Sequence, residues 1–578
     1  MLQQLLQIVI ISAICCTWGL PLTSLTEKTI VRDHFWYRST LQYFAFLFIA
    51  GAITLSILGS WLYLVMPLQF SSLLCLTLLP ALWAAFFYRK KMGAILKELK
   101  KDSPPFSYTE RIFLIICTLL FLVLASLKPA NNDTQIYHLQ IIRWALEYPA
   151  IPGTANLYLR LGLGSNWFGL ISWLNIPFPS GRNFTGLNVT LTMGYFLWLF
   201  AHWKYHFHRL NLPASRILCL FYSLLILWGL FDWELFRDTA NSTNYDLVVT
   251  ACITMSICFL LEGTLTSPKN NFSIIFAFIT AASIGFKLSG IFSLLLIGYH
   301  LIHSRSLKAL LPLTLLLSII FIPVLGKNYI ITGYPLYPLS FSPGSPDWKV
   351  PKELTRLLQN YIVLSNRNYN QAFINTYQHN GLHWIPRWFY GLLWQQQVII
   401  GGVILSVCLF FRKLPQTVDR YALTTLWPVL LLMIAAWFFT APGLRFGYGV
   451  LLCTAFFPLC LLLAHRIRPG WYPSLLLLMS LACCIYGVGK AAVLLHNPGW
   501  LWQAANLENP PYQIVTIQGM PFRFPENSNG NKDHRCVDLP LPCICEENPY
   551  LFPRGRAVKD GFRMTPHPDS AFIQNYNY

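Results

Sequence analysis

A helix needs roughly twenty mostly apolar residues to cross a bilayer, and this chain carries runs of that kind from one end to the other. They fall near residues 2–22, 40–65, 69–88, 109–130, 184–203, 213–231, 245–262, 272–286, 288–302, 309–331, 389–411, 421–440, 446–464 and 473–494. Such a series predicts an all-α polytopic membrane protein with about fourteen transmembrane helices. Only 11% of the residues are charged while 55% are hydrophobic, about half the charge fraction of a soluble domain.

Charge placement then orients the spans. Arg89, Lys90, Lys91, Lys97, Lys100 and Lys101 form the strongest basic cluster in any short loop. The positive-inside rule puts them in the cytoplasm, so the fourth span leads outward and 131–180 lies outside. Alternation places Lys204/Arg209/Arg216, Lys269, Arg305/Lys308, Arg412/Lys413/Arg420 and Arg466/Arg468 inside, and both termini outside. The net charge of +19 therefore speaks to topology and anionic lipid. It does not speak to nucleic acid, because the basic residues are scattered among the spans and form no stripe.

Three regions follow: 1–108, a three-helix segment with a basic cytoplasmic loop; 109–494, a transmembrane core with outer loops 131–180 and 332–388; and 495–578, a small extracytoplasmic appendage. The 332–388 loop, with Pro343, Pro346 and Pro351, reads as a structured cap. Most of the fifteen cysteines sit inside apolar runs and behave as small hydrophobes. In the tail, Cys536 and Cys543 can pair in an oxidising compartment, leaving Cys545.

Carboxylates are scarce, 23 in all, so each one at a membrane end carries information. Asp133 opens a segment in which Asp133, Tyr137, Gln140 and Trp144 recur at helical spacing, until Pro149, Pro152 and Gly153 end it. That pattern predicts an interfacial amphipathic helix after the fourth span, with Asn131 and Asn132 as caps and Arg143–Glu147 as an i, i+4 pair. A carboxylate there can take a proton from an attacking hydroxyl, and Tyr137, His138, Gln140 and Trp144 are side chains that hold sugars. The plainer reading makes Asp133 an N-cap and Trp144 part of an interfacial aromatic belt.

The next outer loop contains Asp232, Glu234, Asp238 and Asp246. Asp232 and Glu234 can bind substrate or, with Asp133, a divalent cation, although a solvated loop is the commoner explanation. Asp246 opens a span, where an acid is costly. Lys287 and Arg445 lie at outer membrane ends and suit a lipid phosphate; Lys327 is expected to snorkel or to pair with an acid. No P-loop, dinucleotide-binding glycine motif or serine nucleophile elbow accompanies them.

The acid after an outward-going span (Asp133), the interfacial helix behind it, the acids of the second outer loop and the late long outer loop together resemble the GT-C superfamily of membrane glycosyltransferases. More narrowly, D-T-Q-I-Y-H-L-Q, P-G-T-A-N-L-Y-L-R-L-G, T-G-Y-P-L-Y-P, A-P-G-L-R-F and the tail's L-P-C-x-C and R-G-x-x-x-x-x-G-F look like a poorly characterised bacterial family of multi-pass proteins. The resemblance implies a polyprenyl-phosphate-linked sugar as donor and a glycan, lipid or protein acceptor, with hexosyl or pentosyl transfer on the extracytoplasmic face of a bacterial inner membrane. Asp133 would be the base, Asp232 or Glu234 a second acid, and Arg445 a phosphate contact. Asn132 stands where many such enzymes carry the first of two acids, which leaves the divalent metal open. The competing expectation is a transporter or flippase for an anionic lipid-linked or glycan intermediate, in which the same groups bind cargo. The lack of an evident internal repeat counts against it.

Overall fold

The computed structural model describes residues 2–26, 35–36, 38–102, 105–127, 129, 131–178, 181–232, 238, 240–266, 273–368, 381–410, 420–494, 507–527, 533–545, 548–565 and 567–576. The chain is mostly helical, and every apolar run named above forms a helix over most of its length. Among the described residues, nine helices are long and apolar enough to cross a membrane, from Leu2–Thr23 to Pro469–Lys490. Ile274–Phe286, Leu288–Ser304 and Trp394–Cys408 are shorter apolar helices.

Burial sorts these helices into an inner and an outer set. Thr40–Leu62 and Leu444–Leu463 are each 78% buried in protein, whereas Phe70–Lys100 and Pro469–Lys490 are 17% buried. The outer set presents Phe86, Phe87, Leu311, Leu478 and Ile485 outward. In water such a surface would aggregate; against lipid tails it is at home. Inner helices approach closely where side chains vanish. A Cβ on Gly51 would sit 1.7 Å from the Cys15 carbonyl oxygen and one on Gly19 2.2 Å from that of Leu47, so only glycine lets Leu2–Thr26 lie against Thr40–Leu62.

One end of the bundle is thickly covered. There the segment after Asn131 is stitched to helix ends by backbone bonds, Leu68 N–H to Ala145 O (2.7 Å), Ala150 N–H to Tyr63 O (2.8 Å) and Gly153 N–H to Ile330 O (3.0 Å). The 332–388 region is structured where described. Tyr334 donates to Val350 O (2.9 Å), Tyr337 donates to Leu159 O (3.0 Å), and Lys352–Asn366 forms a helix.

The tail docks on the same end. Its hairpin pairs Tyr512–Ile517 with Met520–Pro525 through a turn at Gln518 (φ 52°) and Gly519 (φ 82°). Positive φ at both turn residues matches the twist of the flanking strands. Cys536 and Cys543 form a disulfide, and Cys545 Sγ lies 3.3 Å from Cys536 Sγ. Val537 N–H donates to Gln135 O (3.1 Å), Phe562 N–H donates to Pro152 O (3.0 Å), and Arg554 pairs with Asp347 (2.9 Å).

Candidate functional site

The helix carrying Asp133 is not uniform. Thr134–His138 is a π-helical turn, and Leu139–Glu147 continues as α-helix. A π turn inserts one extra residue, which rotates everything beyond it by about 100°. The face read from the sequence therefore splits. Asp133, Tyr137 and His138 point into a cavity, while Gln140 and Trp144 do not line it. Gln140 Nε2 instead donates to the carbonyls of Val537 (3.1 Å) and Leu539 (3.2 Å), and the Trp144 ring packs on Phe562. Those two residues hold the tail. Arg143 pairs with Glu147 as expected (2.7 Å) and also reaches Asp538 (3.1 Å).

Capping falls to Asn131, whose Oδ1 accepts from the Asp133 N–H (2.8 Å). The Asp133 carboxylate makes no capping bond. It faces two guanidiniums, Arg445 Nη2 at 3.2 Å from Oδ2 and Arg160 Nη1 at 3.5 Å from Oδ1. Arg445 stands in the middle of the site. Its Nε is 3.4 Å from Asp246 Oδ2 and its Nη1 is 3.7 Å from Asp238 Oδ2. Lys287 Nζ lies 2.5 Å from Asp246 Oδ1 and 3.1 Å from the centre of the Phe446 ring. Arg160 lies over the Tyr361 ring at 4.9 Å. Three cations thus meet three carboxylates, and the cluster is neutral if all are charged.

The two outer-loop acids respond to this place in opposite directions. Burial pushes the Asp133 carboxyl up, but Arg445, His138 and Arg160 outweigh it and hold the group below its ordinary value. Burial raises Asp238, and the neighbouring Asp246 and Asp133 add to that while Arg445 opposes it. Asp133 is the committed anion and Asp238 the readier proton acceptor. Burial lowers His138 to about 4, so its ring is neutral near pH 7; Nδ1 lies 3.0 Å from Thr243 Oγ1.

The cavity has a volume of about 460 Å³. Its lining combines Asp133, Arg160, Asp246, Lys287 and Arg445 of the ion cluster with apolar side chains such as Phe321, Val324 and Leu325 from the Leu310–Thr332 helix. That helix presents Leu311, Leu315, Ile319 and Ile322 outward. Leu358 and Tyr361 of the Lys352–Asn366 helix also line it.

Other residues singled out from the sequence are placed elsewhere. Asp232 does not line the cavity; its carboxylate accepts from the Tyr448 hydroxyl (2.5 Å). Glu234 lies outside the described residues. Of the acids named with Asp232, Asp246 lines the cavity, and Asp238 joins the cluster from its edge, accepting from Asn131 Nδ2 (3.2 Å) and standing 3.7 Å from Arg445 Nη1. Among the described residues a divalent ion does not fit, since the oxygens of Asp133 face guanidiniums and Asp232 lies outside the cavity. Lys327 is buried rather than snorkelling, with Nζ 3.2 Å from Gly164 O and 3.2 Å from Asn166 Oδ1. Arg160 was the residue missed; its signal was an arginine held between apolar neighbours in L-Y-L-R-L-G.

Fold and site together define a multi-pass helical membrane protein with a capped, ion-paired cavity at one end of its bundle. The family model described as a domain of unknown function, DUF8201, matches residues 1–452, and the chain belongs to that family. No curated protein and no solved structure matches it.

Proposed function

We propose that this chain is a glycosyltransferase of the GT-C kind, moving a sugar from a polyprenyl-phosphate donor to an envelope glycan, lipid or protein acceptor. In this reading it spans a bacterial inner membrane about fourteen times, with the capped end and both termini extracytoplasmic. The basic short loops support that orientation, as does the docking of the tail on the 131–180 and 332–366 segments.

The observation that carries the reading is the pairing of Asp133 with Arg445 and Arg160 in a cavity that is otherwise lined largely by apolar side chains. A lipid phosphate needs both halves, guanidiniums for its oxygens and an apolar wall for its chain. When the donor phosphate takes the two arginines, Asp133 loses the charges that hold its carboxyl low and becomes a better base. The acceptor oxygen then bonds to the anomeric carbon and gives its proton to Asp133. The bond from that carbon to the phosphate oxygen breaks, its electron pair stays on the phosphate, and the configuration inverts. Asp238 takes the place of Asp232 as the second acid. Among the described residues, the acids of this cluster gather around one arginine at the capped end, which favours a one-sided reaction site over a path across the membrane.

The test is transfer of a labelled sugar from a polyprenyl-phosphate donor by the purified, folded chain. Asp133→Asn should lower the rate by about 100-fold or more; transfer at the parent rate removes Asp133 as the base.

A further inference from the structure

At the opposite end of the Asp246–Thr266 helix, sixteen residues and therefore about 24 Å from Asp246, lies a second polar cluster that the proposed reaction does not use. His202 and His206 are one turn apart on the Gly186–Phe207 helix and so share a face. They meet Glu262 from the neighbouring helix, and all three side chains are buried, with no more than 1% exposure.

The geometry is that of a ligand set. His202 Nδ1 and His206 Nε2 each stand 3.3 Å from Glu262 Oε2, and the three donor atoms lie within 4.8 Å of one another. Tetrahedral zinc with bonds of about 2.0–2.1 Å spaces its donors about 3.4 Å apart. Both nitrogens are fully enclosed and face the Glu262 carboxylate at an angle poor for a hydrogen bond. A cation shared by the three groups would satisfy them better.

The surroundings supply an outer layer. His202 Nε2 is 2.6 Å from Gln42 Nε2, His206 Nδ1 is 3.4 Å from Ser215 Oγ, Tyr222 donates to Glu262 Oε2 (3.1 Å), and Arg38 contacts Glu262 Oε1. Such partners fix the rings of metal-bound histidines. A metal on Nδ1 puts the His202 proton on Nε2, so the Gln42 amide would have to turn and give up two bonds, its Nε2 to Phe35 O (2.7 Å) and the Arg38 N–H to its Oε1 (2.7 Å).

We propose that His202, His206 and Glu262 bind one divalent ion of the zinc class, clamping Gly186–Phe207 to Asp246–Thr266 at the end remote from the cavity. Two imidazoles and one carboxylate suit zinc better than the hard cations, which prefer oxygen. The competing arrangement is a buried Glu262–Arg38 ion pair flanked by the two imidazoles, with no metal.

The experiment loads the purified full-length chain in detergent with Zn2+, removes the excess and measures metal per chain. Expected is about one zinc per chain in the parent and in Asp133→Asn, falling to about a tenth or less in His202→Ala and His206→Ala. A parent that retains no zinc, or variants that retain as much as the parent, overturns the proposal. If the variants do not fold, the parent loaded with Co2+ decides. Intense visible bands of four-coordinate cobalt support the site, and a weak six-coordinate spectrum contradicts it.

Discussion

Arg445 Nη2 lies 3.2 Å from Asp133 Oδ2, although 312 residues of chain separate them. No local propensity produces such a contact. It exists because the turn before Leu444–Leu463 and the turn that opens the Asp133 helix meet at one end of the bundle. Arg445 also faces Asp246 and Asp238, so one guanidinium joins three segments that are far apart in sequence. A group with that many anionic neighbours is poised to exchange them for a phosphate.

The Lys287–Asp246 pair beside it is buried and close, 2.5 Å, with side chains 14% and 4% exposed. Without Lys287, Asp246 falls back on its longer contact to Arg445 (3.4 Å). Lys287→Met should cost about 1–3 kcal/mol of stability, and the double change Lys287→Met/Asp246→Asn should recover part of it. Unfolding of the detergent-solubilised variants is the measurement.

Gln140 makes two of the hydrogen bonds that dock the tail. Gln140→Ala should weaken docking by about 1–3 kcal/mol and speed proteolytic removal of the tail, leaving the cavity residues in place. Gly153→Ala should do the same by another route. Its φ is +70°, and an added Cβ would meet Phe562 O at 1.9 Å.

His138 gives the chain an acid-side liability. Its ring titrates at about 4 in the folded protein against 6.5 when free, chiefly because it is buried. Between those values the unfolded chain binds more protons, so stability falls as pH drops from 6.5 toward 4. The full loss is on the order of 3 kcal/mol. Unfolding measured from pH 7 to pH 4.5 should show this slope, and His138→Gln should flatten it.

The sequence displayed the helices because apolar runs of spanning length are a local signal. Asp133, Tyr137, His138, Lys287 and Arg445 were legible for a related reason, since polar groups at membrane ends stand out against their neighbours. Gln140 and Trp144 were not, because a single π turn rotates them away and leaves no mark in the spacing. Choosing Asp238 over Asp232 required the contacts to Asn131 and Arg445, both far away in sequence. Glu262 carried the same signal as Asp246, an acid inside an apolar run, but its two histidines sit on another helix.

The central claim is that the arginines around Asp133 receive a lipid phosphate, and its most direct test is binding of a polyprenyl phosphate to the purified chain. The parent should bind it, Arg445→Ala should bind about tenfold or more weakly, and Asp133→Asn should bind at least as tightly as the parent, because the competing carboxylate charge is gone. Equal binding by the parent and Arg445→Ala, or no binding by either, would contradict it.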